Sequence, residues 1–197
     1  MNPLAPAPRS ARANGFTLVE LMVSITVLGV LLGIAVPAFA NLMAANRLTT
    51  QTSELLASLN LARSEAVRRA QPVTLRAASL DNYALGWSVF PDANADGAAA
   101  STPTDTDGEA VRASAAFKGS PTAKRVTRSG TAPSFTYTVS TDAARGSVIF
   151  TARGAITATT PAFFRLCDPN NPTLAGRIVQ VNVVGKVSID SVNATCS

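Results

Sequence analysis

Few side chains in this chain have types and spacings that could do chemistry. Glu20 is the single charge in an apolar run over 16–40, and a carboxylate at membrane depth is costly enough to mark a pairing or functional site. Asp92, Asn94 and Asp96, followed by Gly97, alternate like the oxygens that open a calcium-binding loop. The position that should carry the closing Glu is Pro103, so a turn built on Asp and Asn fits better than a calcium site. Histidine is absent, which removes the commonest general base and zinc ligand. No spacing gathers Ser, Asp and Lys into a catalytic set. The expectation is a protein that is not an enzyme and uses no cofactor. Two cysteines, Cys167 and Cys196, fit an oxidising compartment and can bridge if the fold brings them together.

The elements that must position these residues follow from periodicity. At the helical rise, 16–40 covers roughly 37 Å, more than a hydrocarbon core of roughly 30 Å. Residues 1–15 carry Arg9 and Arg12 and no acid, so this side stays cytoplasmic by the positive-inside bias and the C-terminal bulk lies outside. From 41 to 71 there is no Gly or Pro, and Leu42, Leu48, Leu55, Leu59, Ala62 and Ala66 recur at helical spacing, broadened by Leu56 and Val67. Glu65 is placed to meet Arg68 or Arg69. Pro72 ends the helix, predicted over 16–71 at about 85 Å, and Pro37 should kink it. Beyond Pro72 the pattern alternates, and 73–77, 85–90, 135–139, 147–151, 163–167, 178–184 and 186–190 read as strands. A turn or bulge at 184–186 joins the last two, and 92–108 reads as a long loop. An antiparallel sheet laid on the amphipathic half of the helix gives an α+β fold.

Net charge is +5, and without residues 1–15 it is +3, fifteen basic against twelve acidic side chains. Residues 81–109 hold six acids and no Lys or Arg, whereas 112–186 hold ten basic residues against Asp142 and Asp168. Such polarity makes polyanion contact a legitimate expectation.

Gly15-Phe16-Thr17-Leu18-Val19-Glu20-Leu21-Met22 resembles the prepilin cleavage and N-methylation motif of type IV pilins and type II secretion pseudopilins. The resemblance implies cleavage by a prepilin peptidase between Gly15 and Phe16, N-methylation of Phe16, and pairing of Glu20 with the N-terminal amine of a neighbouring subunit. Pro37 stands where such pilins carry a proline. Segments 61–69, 86–97 and 150–154 resemble the GspH/FimT family of minor pilins and pseudopilins, a likeness running from Gly15 to Cys196. It implies a pilin-like head, two sheets on the helix, a Cys167–Cys196 disulfide, and a filament subunit that helps start assembly at or near the tip. It divides the chain into a leader 1–15, a transmembrane and assembly half 16–40, and a head 41–197 made of helix 41–71 and β-rich 73–197. The implied location is the inner membrane, single-pass with the head periplasmic, then a surface pilus or periplasmic pseudopilus. Implied partners are other pilin subunits, the prepilin peptidase and the inner membrane. Some FimT-like relatives bind DNA through a Gly-Arg-x-Arg motif; here those positions read Gly185-Lys186-Val187-Ser188. Lys186 lacks the guanidinium fork and Ser188 lacks charge, so DNA contact, through Arg177 and Lys186, is a weakened alternative.

Overall fold

The computed structural model describes residues 16–79, 82–96, 110–119, 121–131, 134–140, 146–171, 174–194 and 196. The leader 1–15, Gly15 included, and positions 97–108 of the expected loop lie outside the described residues.

Helix α1 (Leu18–Arg69) has Pro37 inside it. It starts where the Thr17 hydroxyl accepts the Glu20 N–H at 3.2 Å, satisfying one of the donors that a helix N-terminus leaves open. It ends where Ala70 turns left-handed, φ 53°, with its N–H on the Val67 carbonyl at 3.3 Å, and Pro72 bars continuation. The contacts within the chain divide it into two units, Met1–Ala40 and Asn41–Ser197. In the first, every described side chain is exposed, and α1 is long and apolar enough there to cross a membrane.

In the second unit, α1 buries Leu48, Gln51, Thr52, Leu55, Ser58, Leu59, Ala62 and Ala66. Leu42 and Val67, expected in this stripe, are instead about half exposed, and three polar residues replace them. Thr52 and Ser58 return their hydroxyls to the carbonyls of Leu48 and Glu54, four residues back, and Gln51 reaches the Lys118 carbonyl. Their burial is tolerated because no donor is left open.

Among the described residues nine strands follow, all pairing antiparallel. They are β1 (Val73–Ala77), β2 (Trp87–Pro91), β3 (Arg112–Ser114), β4 (Thr122–Thr131), β5 (Ser134–Val139), β6 (Ser147–Phe150), β7 (Ala162–Cys167), β8 (Gly176–Val181) and β9 (Val187–Ala194). Two sheets result, ordered β3-β2-β1-β6 and β5-β4-β7-β8-β9. Sequence periodicity misses β3 and β4. β4 is ten residues long, yet its only large apolar side chain is Val126, and its core-facing Ala123 is too small to register as alternation. The expected strand over 85–90 begins only at Trp87, because Tyr83–Leu85 forms a 3₁₀ turn capped by the Asn82 side chain. Asn82 also accepts the Ala123 N–H at 2.8 Å, fastening the turn to β4.

The main core packs the α1 face against Val73, Leu75, Trp87, Val89 and Phe150 of the first sheet and Ala123, Phe164, Leu166, Val179 and Val181 of the second. Tyr83 meets Phe164 edge-on at 4.9 Å between centroids, and its burial pushes the phenol pKa up. A smaller cluster of Val126, Phe163 and Ile178 is backed by Tyr137. Phe163 and Phe164 thus serve separate clusters, as neighbours on a strand must.

Candidate functional site

The residues 16–40 contain four polar side chains, Thr17, Glu20, Ser24 and Thr26. Thr17 caps the helix, Ser24 donates to the Glu20 carbonyl at 2.7 Å, and Thr26 donates to the carbonyls of Met22 and Val23. Those hydroxyls are satisfied inside their own helix, which is what an apolar solvent demands. Glu20 is different. Its carboxylate is exposed and, among the described residues, makes no hydrogen bond or ion pair. Phe16 is 76% exposed, in the same stretch. Around Gly29 and Gly33 nothing approaches the space a Cβ would fill.

In the head, Cys167 and Cys196 form a disulfide with Cα atoms 5.7 Å apart. A Cβ on Gly176 would meet their sulfurs at 2.9 and 2.7 Å, so the bridge lies directly over β8. It fastens position 196 to β7.

Arg177 and Lys186 are both exposed but are not brought together. Arg177 stands near the start of β8 and Lys186 in the hairpin beyond its end, a separation on the order of 16 Å along the strand. The hairpin closes when the Gly185 N–H donates to the Asn182 carbonyl at 2.8 Å and the Lys186 N–H to the Asn182 side chain at 2.9 Å. Arg128 lies over the Phe135 and Phe163 rings at 4.4 and 4.7 Å and faces Asp190 at 3.5 Å. Tyr137 donates to the same carboxylate at 3.1 Å. Burial raises its phenol pKa, and the Asp190 charge adds to the shift.

Asp92 is fully buried and accepts the Thr74 hydroxyl and the Asp96 N–H. Asn94 accepts the same N–H and donates to the Asp96 carboxylate at 3.0 Å. The oxygens that suggested an ion loop are engaged by Thr74 of β1 and by groups of their own turn, and no group of three or more His, Cys, Asp or Glu converges among the described residues.

A contact that sequence reasoning does not foresee joins three distant segments. Arg63 donates Nε to the Gly154 carbonyl at 3.0 Å and Nη2 to the Val184 carbonyl at 3.3 Å. Gly154 and Gly185 touch so closely that a Cβ on Gly185 would lie 1.8 Å from the Gly154 oxygen. Arg63 of α1, Gly154 and the 184–185 turn therefore form one clasp from α1 to the hairpin. The sequence signal was slight: an arginine between Ala62 and Ala66 and two isolated glycines.

A helix of membrane-spanning length that continues into a head of two antiparallel sheets is the build of a pilin-type subunit. The family described as type II transport protein GspH matches residues 51–185, and the chain belongs to that family of minor pilins and pseudopilins. The prokaryotic N-terminal methylation motif matches residues 10–36. Among solved structures, the Pseudomonas aeruginosa (strain PAO1) type IV minor pilin FimU has a TM-score of 0.53 and 22% identity, covering 74% of this chain and 89% of its own. A second crystal form of FimU gives a TM-score of 0.51 and 22% identity, covering 72% and 91%. The minor pseudopilin EpsH from the type 2 secretion system of Vibrio cholerae has a TM-score of 0.44 and 11% identity, covering 72% and 94%. No curated protein matches.

Proposed function

We propose that this chain is a minor pilin, held in the inner membrane by 16–40 with its head in the periplasm, and then drawn into a type IV pilus where it helps begin assembly. The observation that carries the reading is Glu20, the one polar side chain of 16–40 that makes no hydrogen bond or ion pair among the described residues. In lipid a carboxylate is costly, and an opposite charge close by is a strong way to offset that cost. A prepilin peptidase acting between Gly15 and Phe16 creates such a charge, the α-amine of Phe16, which N-methylation leaves cationic. On a neighbouring subunit this amine pairs with Glu20 and sets the axial register of the two helices. Pro37 supplies the bend expected in the span. The fold likeness to FimU supports the pilus as the destination. The family description supports a second reading, a type II secretion pseudopilus built with the same chemistry.

Intact mass from a host carrying the peptidase should show a chain beginning at methylated Phe16; a chain retaining Met1 refutes the processing step. Glu20→Ala should insert normally yet fail to cross-link to other subunits, and undiminished incorporation would remove the pairing role. The subunits recovered in those cross-links separate pilus from secretion pseudopilus. DNA contact remains a third reading, supported by the exposed Arg177 and Lys186. It requires binding of duplex DNA that weakens steeply with salt, and no binding at low salt excludes it.

A further inference from the structure

Where the head begins, two loops are tied to the first turns of its helix. Asn171 donates to the Asn41 side chain at 2.8 Å, and Gln51 donates to the Lys118 carbonyl at 3.2 Å. Asn170 donates to the Gly119 carbonyl at 3.4 Å, joining the two loops to each other. Arg47 lies against Gly119, where an added Cβ would meet its Nη1 at 2.7 Å. Gly119 itself is left-handed, φ +91°, a conformation that keeps this position open to glycine. The exposed side chains of Arg47 and Lys118 thus flank one residue. Among the described residues neither enters an ion pair. The carboxylate of these segments, Asp168, accepts the Asn170 N–H at 3.0 Å.

Two cationic side chains flanking one residue favour an anion beside them. Their position says which anion. Leu42 and Met43, 55% and 47% exposed, prolong the apolar run past 40, and Arg47 follows Met43 by one helical turn. Apolar residues followed within a turn by arginine, lysine and side-chain amides make up the edge of a membrane span, where long cationic side chains reach phosphate while their stems stay in the acyl boundary.

We infer that Arg47 and Lys118, with the 117–119 and 168–171 loops, form a seat for the phosphate groups of anionic phospholipid in the bilayer that the helix spans. The inference rests on the membrane-anchored reading above. Phosphate is the recognised chemistry, and the membrane is its source. Before assembly the seat holds the head down on the bilayer; extraction into a filament must break it.

The test uses the full chain in nanodiscs of phosphatidylcholine alone or of a mixture rich in phosphatidylglycerol. Hydrogen exchange is read at amides 117–119 and 168–171. Exchange should be slower by roughly fivefold or more in the anionic discs at low salt, the scale expected for each surface cation near anionic lipid. High salt should abolish the difference. The Arg47→Gln/Lys118→Gln double variant should lose it, and Arg47→Lys should keep it, with unchanged Trp87 fluorescence reporting an intact core in both. Equal exchange in the two lipids, with the chain retained in both discs, overturns the seat and leaves the anchored reading standing. Loss of the chain from both kinds of disc overturns the anchored reading and the seat with it. Protection produced by inorganic phosphate on phosphatidylcholine discs assigns the site to free anion and overturns the lipid claim.

Discussion

Glu20 and Glu65 occupy one helix in opposite circumstances. Among the described residues the Glu20 carboxylate has no partner, whereas Glu65 receives both Arg68 and Arg69, the latter at 2.8 Å. The spacing of three and four residues made the Glu65 pairs legible in advance. Hydrogen bonds from Arg68 and then Arg69 hold its carboxyl down at about 2, from 4.5. A carboxyl depressed in the folded state stabilises above its unfolded pKa, and that contribution fades as pH falls from 4.5 towards 2. Because the pair is exposed, its weight is small. Glu65→Gln should therefore flatten the acid slope of Tm between those two values while lowering Tm near neutrality by no more than a few degrees, read from Trp87 fluorescence in detergent. An unchanged acid slope would remove Glu65 from the account. Asp92 shows the limit of residue-level reading. Its spacing to Asn94 and Asp96 was visible, but its burial under Thr74 of β1 was not, because a partner eighteen residues away on another strand leaves no local pattern.

Two element boundaries carry left-handed backbone with contrasting residues. α1 ends on Ala70 at φ 53°, where glycine is the usual choice, whereas the β8–β9 hairpin places Gly185 at φ +77° against the Gly154 carbonyl. Ala70→Gly should relieve the Cβ penalty and stabilise the chain by roughly 0.5–1 kcal/mol, the relief exceeding glycine's extra freedom when unfolded. Gly185→Ala should cost at least about 2 kcal/mol, since it combines a left-handed alanine with a backbone clash. Urea unfolding of the two variants beside the parent decides both signs, and an equal midpoint for Gly185→Ala would contradict the clasp. The sequence showed Gly185 as a turn residue but not its contact with Gly154, since the hydrogen bonds that hold the clasp link Arg63 to Gly154 across 91 residues and to Val184 across 121.

The whole chain is legible in proportion to how regular its burial is. The exposed apolar run, the amphipathic helix and strands such as β1 and β7 carry the periods their surroundings impose, so the α+β plan could be read before the fold was seen. β3 and β4 could not, because their partners supply the burial that their own sequences do not advertise. Every member of the main core lies between Leu48 and Val181, and none comes from 16–40. The disulfide likewise closes entirely within the head. Residues 16–40 therefore add nothing to that core. A chain of 41–197 should fold alone in an oxidising compartment, form the Cys167–Cys196 bridge, and melt within about 4 °C of the detergent-solubilised parent, the shift equivalent to about 1 kcal/mol in a domain of this size. Near-UV circular dichroism, which reports the fixed environments of Trp87, Tyr83 and Tyr137, checks the packing independently of the melt. Loss of that signal with helix content retained would mean that the head depends on its first forty residues for tertiary order, and the division at Ala40 would then mark a change of solvent rather than an end of the folding unit.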